Sequence, residues 1–342
     1  MPDIQMDRYD LIIIGAGISG LSLAHYAARA DWKTLVIEKS DRTGGCFNTS
    51  RQDGFWFELG AHTAYNSYRG LIGIMEDRGI SGRILGRARV PYRLLLGGRL
   101  RSIPSAMSIP GLLASAPRLL AARKAGRTVE SYYSKVVGCA NYGRVLSPLL
   151  SAVPCQRADE IPADMLFKSR KRRRDVLRSF TLQGGLQGIT DAVASEEGVE
   201  LLTGTNVVAT GHEQGVFNVS LADGRRLEAQ GLALAVPPPA AAELLRGQYP
   251  ELSEKLSVIK VAHVESMGVV IAKGDTSVEP VAGIVPAEED LFWSAVSRDT
   301  VPHESLRAFT FHFKPGIAGE TKIRRISEVL GTAGPETIKH SR

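Results

Sequence analysis

A short, mainly apolar run at 10–14 (DLIII) leads straight into the turn Gly15-Ala16-Gly17-Ile18-Ser19-Gly20, and the turn leads into a helix-like segment, LSLAHYAARA. A second apolar run at 34–37 ends in Glu38, and Gly44-Gly45 follows six residues later. Strand, glycine turn, helix, strand and acid in this order form the βαβ unit that holds an adenine dinucleotide. No other stretch constrains the fold as much. The start of a helix offers N–H groups without intrahelical partners and the positive end of the peptide dipoles, which suits a doubly charged pyrophosphate. Gly15 permits the tight turn, Gly17 lets phosphates approach the backbone, and Gly20 lets the helix pack closely on the sheet. Glu38 stands where a carboxylate can accept hydrogen bonds from ribose hydroxyls. The next residue is Lys39 rather than an arginine, which disfavours NADP. The extra Gly44-Gly45 pair points to FAD rather than NAD. A glycine turn alone is a weak signal, and the flanking elements and the acid at this spacing make it specific.

With 342 residues the chain can bury a sizeable core and hold two domains, or one domain with a large insertion. Cys46, Cys139 and Cys155 show no paired spacing, so neither a disulfide framework nor a metal site is expected, and a reducing cytoplasm fits. The charged opening residues do not read as a signal peptide, and no run of about eighteen apolar residues occurs. The net charge of +6 conceals an uneven distribution: residues 83–182 hold 20 Lys and Arg against 5 Asp and Glu. Its densest part is KSRKRRRDVLR at 168–178. Such a run is either a solvated face or a surface that attracts anionic lipid headgroups or an acidic substrate. It lacks interleaved aromatics and any reading motif, so nucleic acid is not an expected partner. Oligomeric state leaves no mark on the sequence.

Further along, residues 55–60 read as a strand, 67–82 as a helix, and 89–103 as a hairpin turning at Gly97-Gly98. A short helix is expected at 111–125 and mostly helical chain at 128–153. Helix 186–197 and strands 199–202 and 207–210 follow. A hairpin then turns at Asp223-Gly224, and a separate apolar run at 231–236 stops at three prolines. A helix opens at 240, strands are expected at 258–272 and 305–313, and a helix at 320–330. The fold class expected is α/β, a Rossmann-type nucleotide-binding domain with an inserted, mainly helical substrate domain. The expected boundaries are 1–82 and 179–258 for the first domain, and 83–178 and 259–342 for the second.

The chain resembles the flavin-containing amine oxidase superfamily, in its protoporphyrinogen oxidase-like and phytoene desaturase-like branch. The matching pieces are IIIGAGISGLSLA (12–24), VIEKSDRTGG (36–45), FWFELGAHT (55–63), SFTLQGGLQGITDAVA (179–194), TNVVA (205–209), LADGRRLEA (221–229) and ALAVPPPAAAELL (233–245). The resemblance implies a site position by position. Gly15, Ala16, Gly17, Ile18, Ser19 and Gly20 would line the FAD pyrophosphate, with Glu38 and Lys39 at the adenosine ribose. Gly44, Gly45 and Cys46 would close over the phosphates and ribityl chain, and Val207 would present its backbone to the adenine. Gly60, Ala61, His62 and Thr63 would pass close to the isoalloxazine ring. His62 is read as a flavin-contact or packing residue, and no catalytic acid or base is assigned. His303 and His312 are left without a role.

Two departures stand out. Members usually carry an arginine directly after the Gly-Gly pair, where Cys46 stands, and a thiol supplies no charge-assisted hydrogen bond to a phosphate. Members also end in a segment with a Gly-Asp pair at a helix start, whereas residues 320–342 resemble the helix before that segment, so the resemblance implies a chain that stops early. The leading expectation is an FAD-dependent oxidoreductase taking hydride from a bulky, largely apolar substrate, in the cytoplasm or peripherally on a membrane through the basic 83–182 region. The alternative is a non-catalytic or truncated dinucleotide-binding protein of the same fold.

Overall fold

Residues 8–332 and 339–341 are described by the computed structural model. The charged opening residues 1–7, and residues 333–338 and 342 of the expected tail, lie outside the described residues. Strand β1 (Arg8–Ile14) is buried on both faces, as a near-continuous apolar run in a parallel sheet must be. It pairs in parallel with β2 (Thr34–Ile37) on one side and with Arg226–Leu234 on the other. Helix α1 (Ile18–Ala28) is the crossover between β1 and β2. The full sheet runs Val199–Leu202, β2, β1, Arg226–Leu234, Val216–Leu221, Val207–Glu213. Its last two pairings are antiparallel. Ile12, Ile14, Leu35, Ile37 and Val219 form the core on this sheet.

The hairpin turn falls at Gly224, with φ +90°. One expectation changes here. The hairpin strand and the apolar run after it are a single nine-residue strand, Arg226–Leu234. Gly231 lies inside it against β1, where an added Cβ would meet Leu11 Cδ1 at 3.3 Å and the Asp10 carbonyl oxygen at 3.4 Å. The proline run does not merely end that strand: Pro238 opens the helix Pro238–Leu245, since a missing N–H costs nothing in a first helical turn.

The chain divides into two compact units, Met1–Trp56, Thr63–Leu85 and Arg173–Val261 in one, and Phe57–His62, Gly86–Arg172 and Ala262–Arg342 in the other. In the second unit most helices come from the inserted stretch, and the helix Gly319–Leu330 from the last part of the chain. Helix Ile109–Ser115 begins two residues before the expected 111, because Ser108 caps it through the Gly111 N–H and Pro110 sits in its first turn. A seven-stranded sheet completes the unit, in the order Lys339–Ser341, Glu265–Ala272, Leu306–Phe313, Phe292–Ser297, Gly283–Pro286, Tyr92–Leu96, Arg99–Ser102. Residues 258–264, read as part of a strand, precede it as irregular chain, and the strand starts at Glu265. Phe292, Phe309, Phe311 and Phe313 pack as its core.

Candidate dinucleotide site and a paired-histidine cluster

The first unit assembles the glycine turn from both of its neighbours. The Gly15 N–H donates to the Ile37 carbonyl at 2.8 Å, and the Ala16 N–H donates to Glu38 Oε2 at 2.8 Å. Gly15 has φ +105°, and a Cβ there would sit 2.6 Å from the Ala235 carbonyl oxygen. Gly17 is the N-cap of α1 and makes no side-chain cap bond, so the first-turn N–H groups of Ile18, Ser19 and Gly20 face outward from bare backbone. Gly20 does more than fit the helix to the sheet, since its Cβ would fall 2.0 Å from the Gly15 oxygen.

The second glycine pair folds onto the first. The Gly44 N–H donates to the Ala16 carbonyl at 2.8 Å, and Gly17 bridges to Gly44. A Cβ on Gly45, whose φ is +56°, would lie 3.1 Å from Gly17 Cα, whereas one on Gly17 would stand 4.0 Å from Gly45 Cα, so the close approach of the two loops constrains position 45. Cys46 is exposed, as is Lys39. The cation nearest in sequence is Arg42, which donates to the carbonyls of Thr43 at 3.0 Å and Gly45 at 2.9 Å. It braces the loop, a role that sequence reading missed; its one sequence signal is an arginine two residues ahead of a Gly-Gly pair. Beyond Glu38 the chain is clamped to the loop before Val207: the Thr205 N–H donates to the Glu38 carbonyl, and the Gly204 N–H to that of Ser40. Val207 itself is buried at the head of its strand.

Gly15, Ala16, Gly17, Ile18, Ser19, Gly20, Glu38, Lys39, Gly44, Gly45, Cys46, Thr63 and Val207 all belong to the first unit, whereas Gly60, Ala61 and His62 belong to the second. There, the segment from Phe57 lies over the sheet. Gly268 and Thr310 are register partners on neighbouring strands. A Cβ on Gly268 would strike Phe57 at 2.2 Å, and the Thr310 hydroxyl donates to the Glu58 carbonyl at 2.5 Å. This packing carries His62 to His312, one strand repeat beyond Thr310, with Nε2 to Nε2 at 3.2 Å. His312 Nδ1 in turn meets Ser266 Oγ at 3.1 Å.

Burial, helped by His312 and Arg87, lowers the pKa of His62 from 6.5 to about 3. Burial lowers that of His312 to about 4. Both rings are therefore neutral at pH 7, and between facing Nε2 atoms one ring donates while the other accepts. His312, left unassigned from sequence, gains its partner only through the fold. The sequence hint is a histidine and a threonine that share one face of the strand LRAFTFHF with Leu306 and Ala308.

The chain matches the model of the family "Flavin containing amine oxidoreductase" over residues 18–311. It belongs to the flavin-containing amine oxidoreductase family. This family member is 24% identical to coproporphyrinogen III oxidase of Propionibacterium freudenreichii subsp. freudenreichii over an alignment 341 positions long, covering 76% of this chain and 63% of that one. It is 29% identical over 158 residues to the chloroplastic protoporphyrinogen oxidase of Nicotiana tabacum, covering 42% of this chain and 29% of that one. The chain thus spans less than two thirds of the length of these relatives. A crystal structure from Exiguobacterium sp. 255-15, described as a candidate protoporphyrinogen oxidase, superposes with a TM-score of 0.75 at 20% identity, covering 98% of this chain and 86% of that one. The fold is accordingly that of the family's FAD-binding α/β proteins, and the cofactor of the family member is FAD. The residues present fit it: the cradle is bare backbone, a first helical turn is uncapped, and Glu38 has lone pairs left beyond the amides it accepts.

Proposed function

We propose that this family member is an FAD-dependent oxidoreductase acting on a bulky, largely apolar substrate of the porphyrinogen kind. The observation that carries the reading is the glycine cradle, in which Gly17 faces Gly45 across an uncapped helix start with Glu38 at the neighbouring strand end. The names of its relatives support the substrate class. The family match makes a non-catalytic nucleotide binder the less favoured alternative.

In this reading the turn from Gly15 through Gly20 holds the pyrophosphate, and Glu38 orients the adenosine ribose with Lys39 beside it. Gly44, Gly45 and Cys46 close over the phosphates, with Arg42 keeping their loop in place. Val207 presents backbone to the adenine, and Gly60, Ala61, His62 and Thr63 pass the ring. FAD supplies a hydride acceptor. The neutral His62–His312 pair shares one hydrogen between its facing Nε2 atoms, and charging both rings is disfavoured because it would set two cations 3.2 Å apart. Residues 1–82 with 179–258 act as the FAD domain and the rest as the substrate domain. The protein works in the cytoplasm, peripherally on a membrane; among the described residues no helix is long and apolar enough to cross one.

An absorption spectrum after gel filtration, with and without added FAD, tests the reading. Flavin bands that travel with the protein are expected. A colourless chain that fails to retain added FAD would sink it.

A further inference from the structure

Phe167 is unusual in two ways. Its φ is +56°, a region that bulky side chains rarely occupy, and 75% of its surface is exposed. Met165, two residues earlier, is 62% exposed. Such a backbone persists only where its surroundings over-determine it, and here they do. Lys124 Nζ donates to the Leu166 carbonyl at 3.2 Å and sits 5.5 Å from the Phe167 ring centroid. The same ammonium lies 5.7 Å from the Tyr133 ring, which meets Phe167 edge-on at 6.5 Å. The loop is thus braced from inside while its two largest apolar side chains stay in water.

The residues that follow are basic. Lys168, Arg170 and Lys171 are all exposed, and residues 168–178 contain seven Lys and Arg against one Asp. The nearest carboxylate before them is Asp164, also exposed, and the cations outnumber it. Membrane binding grows with the apolar area buried in the interface and with the attraction of basic side chains to anionic headgroups, and the two contributions act together.

We infer that Met165 and Phe167 insert into an anionic lipid bilayer while Lys168, Arg170 and Lys171 hold its headgroups. A single-stranded nucleic acid would call for stacking rings spread among the basic side chains; here a methionine and one strained aromatic precede the tract as a block. The inference rests on the proposed peripheral membrane contact, and its test is independent of the flavin.

Sedimentation of the full chain with phosphatidylcholine vesicles, with and without phosphatidylglycerol, decides it. The wild type pellets with the anionic vesicles and stays in solution with the neutral ones. Each basic residue adds about fivefold to partition, the factor equivalent to about 1 kcal/mol per charge, so Lys168→Glu, Arg170→Glu and Lys171→Glu together abolish pelleting. Met165→Ser with Phe167→Ser weakens it by about tenfold or more with every charge retained. Thermal melting shows whether that variant folds, and Phe167→Trp gives a second readout, a blue shift of emission on adding anionic vesicles. A wild type that stays in solution overturns the inference. So does an unshifted Phe167→Trp, or binding to single-stranded RNA without binding to vesicles. A colourless chain that pellets would sink the flavin reading alone. A yellow chain that ignores vesicles would sink the peripheral membrane contact and this inference with it. Vesicle binding that Met165→Ser with Phe167→Ser leaves unchanged would sink this inference alone.

Discussion

A methyl group at position 20 has no space, because it would lie 2.0 Å from the Gly15 oxygen. Gly20→Ala must push α1 off the turn, and overpacking of this kind costs about 1–3 kcal/mol. The expected result is a lower melting temperature together with loss of FAD on gel filtration; a yellow, fully stable variant would contradict the geometry. Cys46 and Arg42 form the complementary case. The Arg42 guanidinium is committed to the carbonyls of Thr43 and Gly45, so it acts on phosphate through the loop it braces. Cys46→Arg adds a charge-assisted donor beside the cradle and is expected to tighten FAD about tenfold, the effect of roughly 1.5 kcal/mol. Titration of FAD fluorescence quenching reads this, and unchanged affinity would mean that position 46 does not face the phosphates.

At the scale of elements, segment 57–62 depends on a gap in the sheet beneath it. Gly268 provides the gap and Thr310 the anchoring hydroxyl. Gly268→Val would drive two methyls into Phe57 and Leu59, lowering stability by about 1–3 kcal/mol and separating His62 from His312. Imidazole nitrogen NMR checks the second effect: the coupled pair should split into two independent rings, and unchanged signals would show that the segment is held elsewhere. The strands Gly283–Pro286 and Phe292–Ser297 escaped sequence reading for a related reason. They are short, nearly uniformly buried and end in or near a proline or a polar turn, so no alternation marks them. Their identity comes from their strand partners, the next strand Leu306–Phe313 and the sequence-distant Tyr92–Leu96.

For the whole molecule, the buried histidines set a direction for acid stability. Their folded pKa values, about 3 and about 4, lie below the ordinary 6.5. As pH falls from 6.5 the unfolded chain takes up protons that the folded chain does not, so this contribution, full above 6.5, is lost on the way down to about pH 3. The urea midpoint is expected to fall across that window, and to fall less steeply in His62→Gln with His312→Asn. Equal slopes in the variant and the wild type would show that other groups govern acid unfolding.

The sequence by itself determined the βαβ unit, its FAD preference and the family, because strand, glycine turn, helix and acid all lie within the first forty-five residues and each has a local conformational reason. The hairpin at Gly224 and the helix at Gln187–Ala194 were legible on the same terms. Only the tertiary structure decided that Arg226–Leu234 runs unbroken beside β1, that Arg42 spends its charge on backbone carbonyls, and that His62 meets a histidine 250 residues away. The physical reason is range. A turn or a cap is specified by neighbours within one helical turn, whereas a cross-sheet contact depends on the simultaneous packing of every element between its two ends.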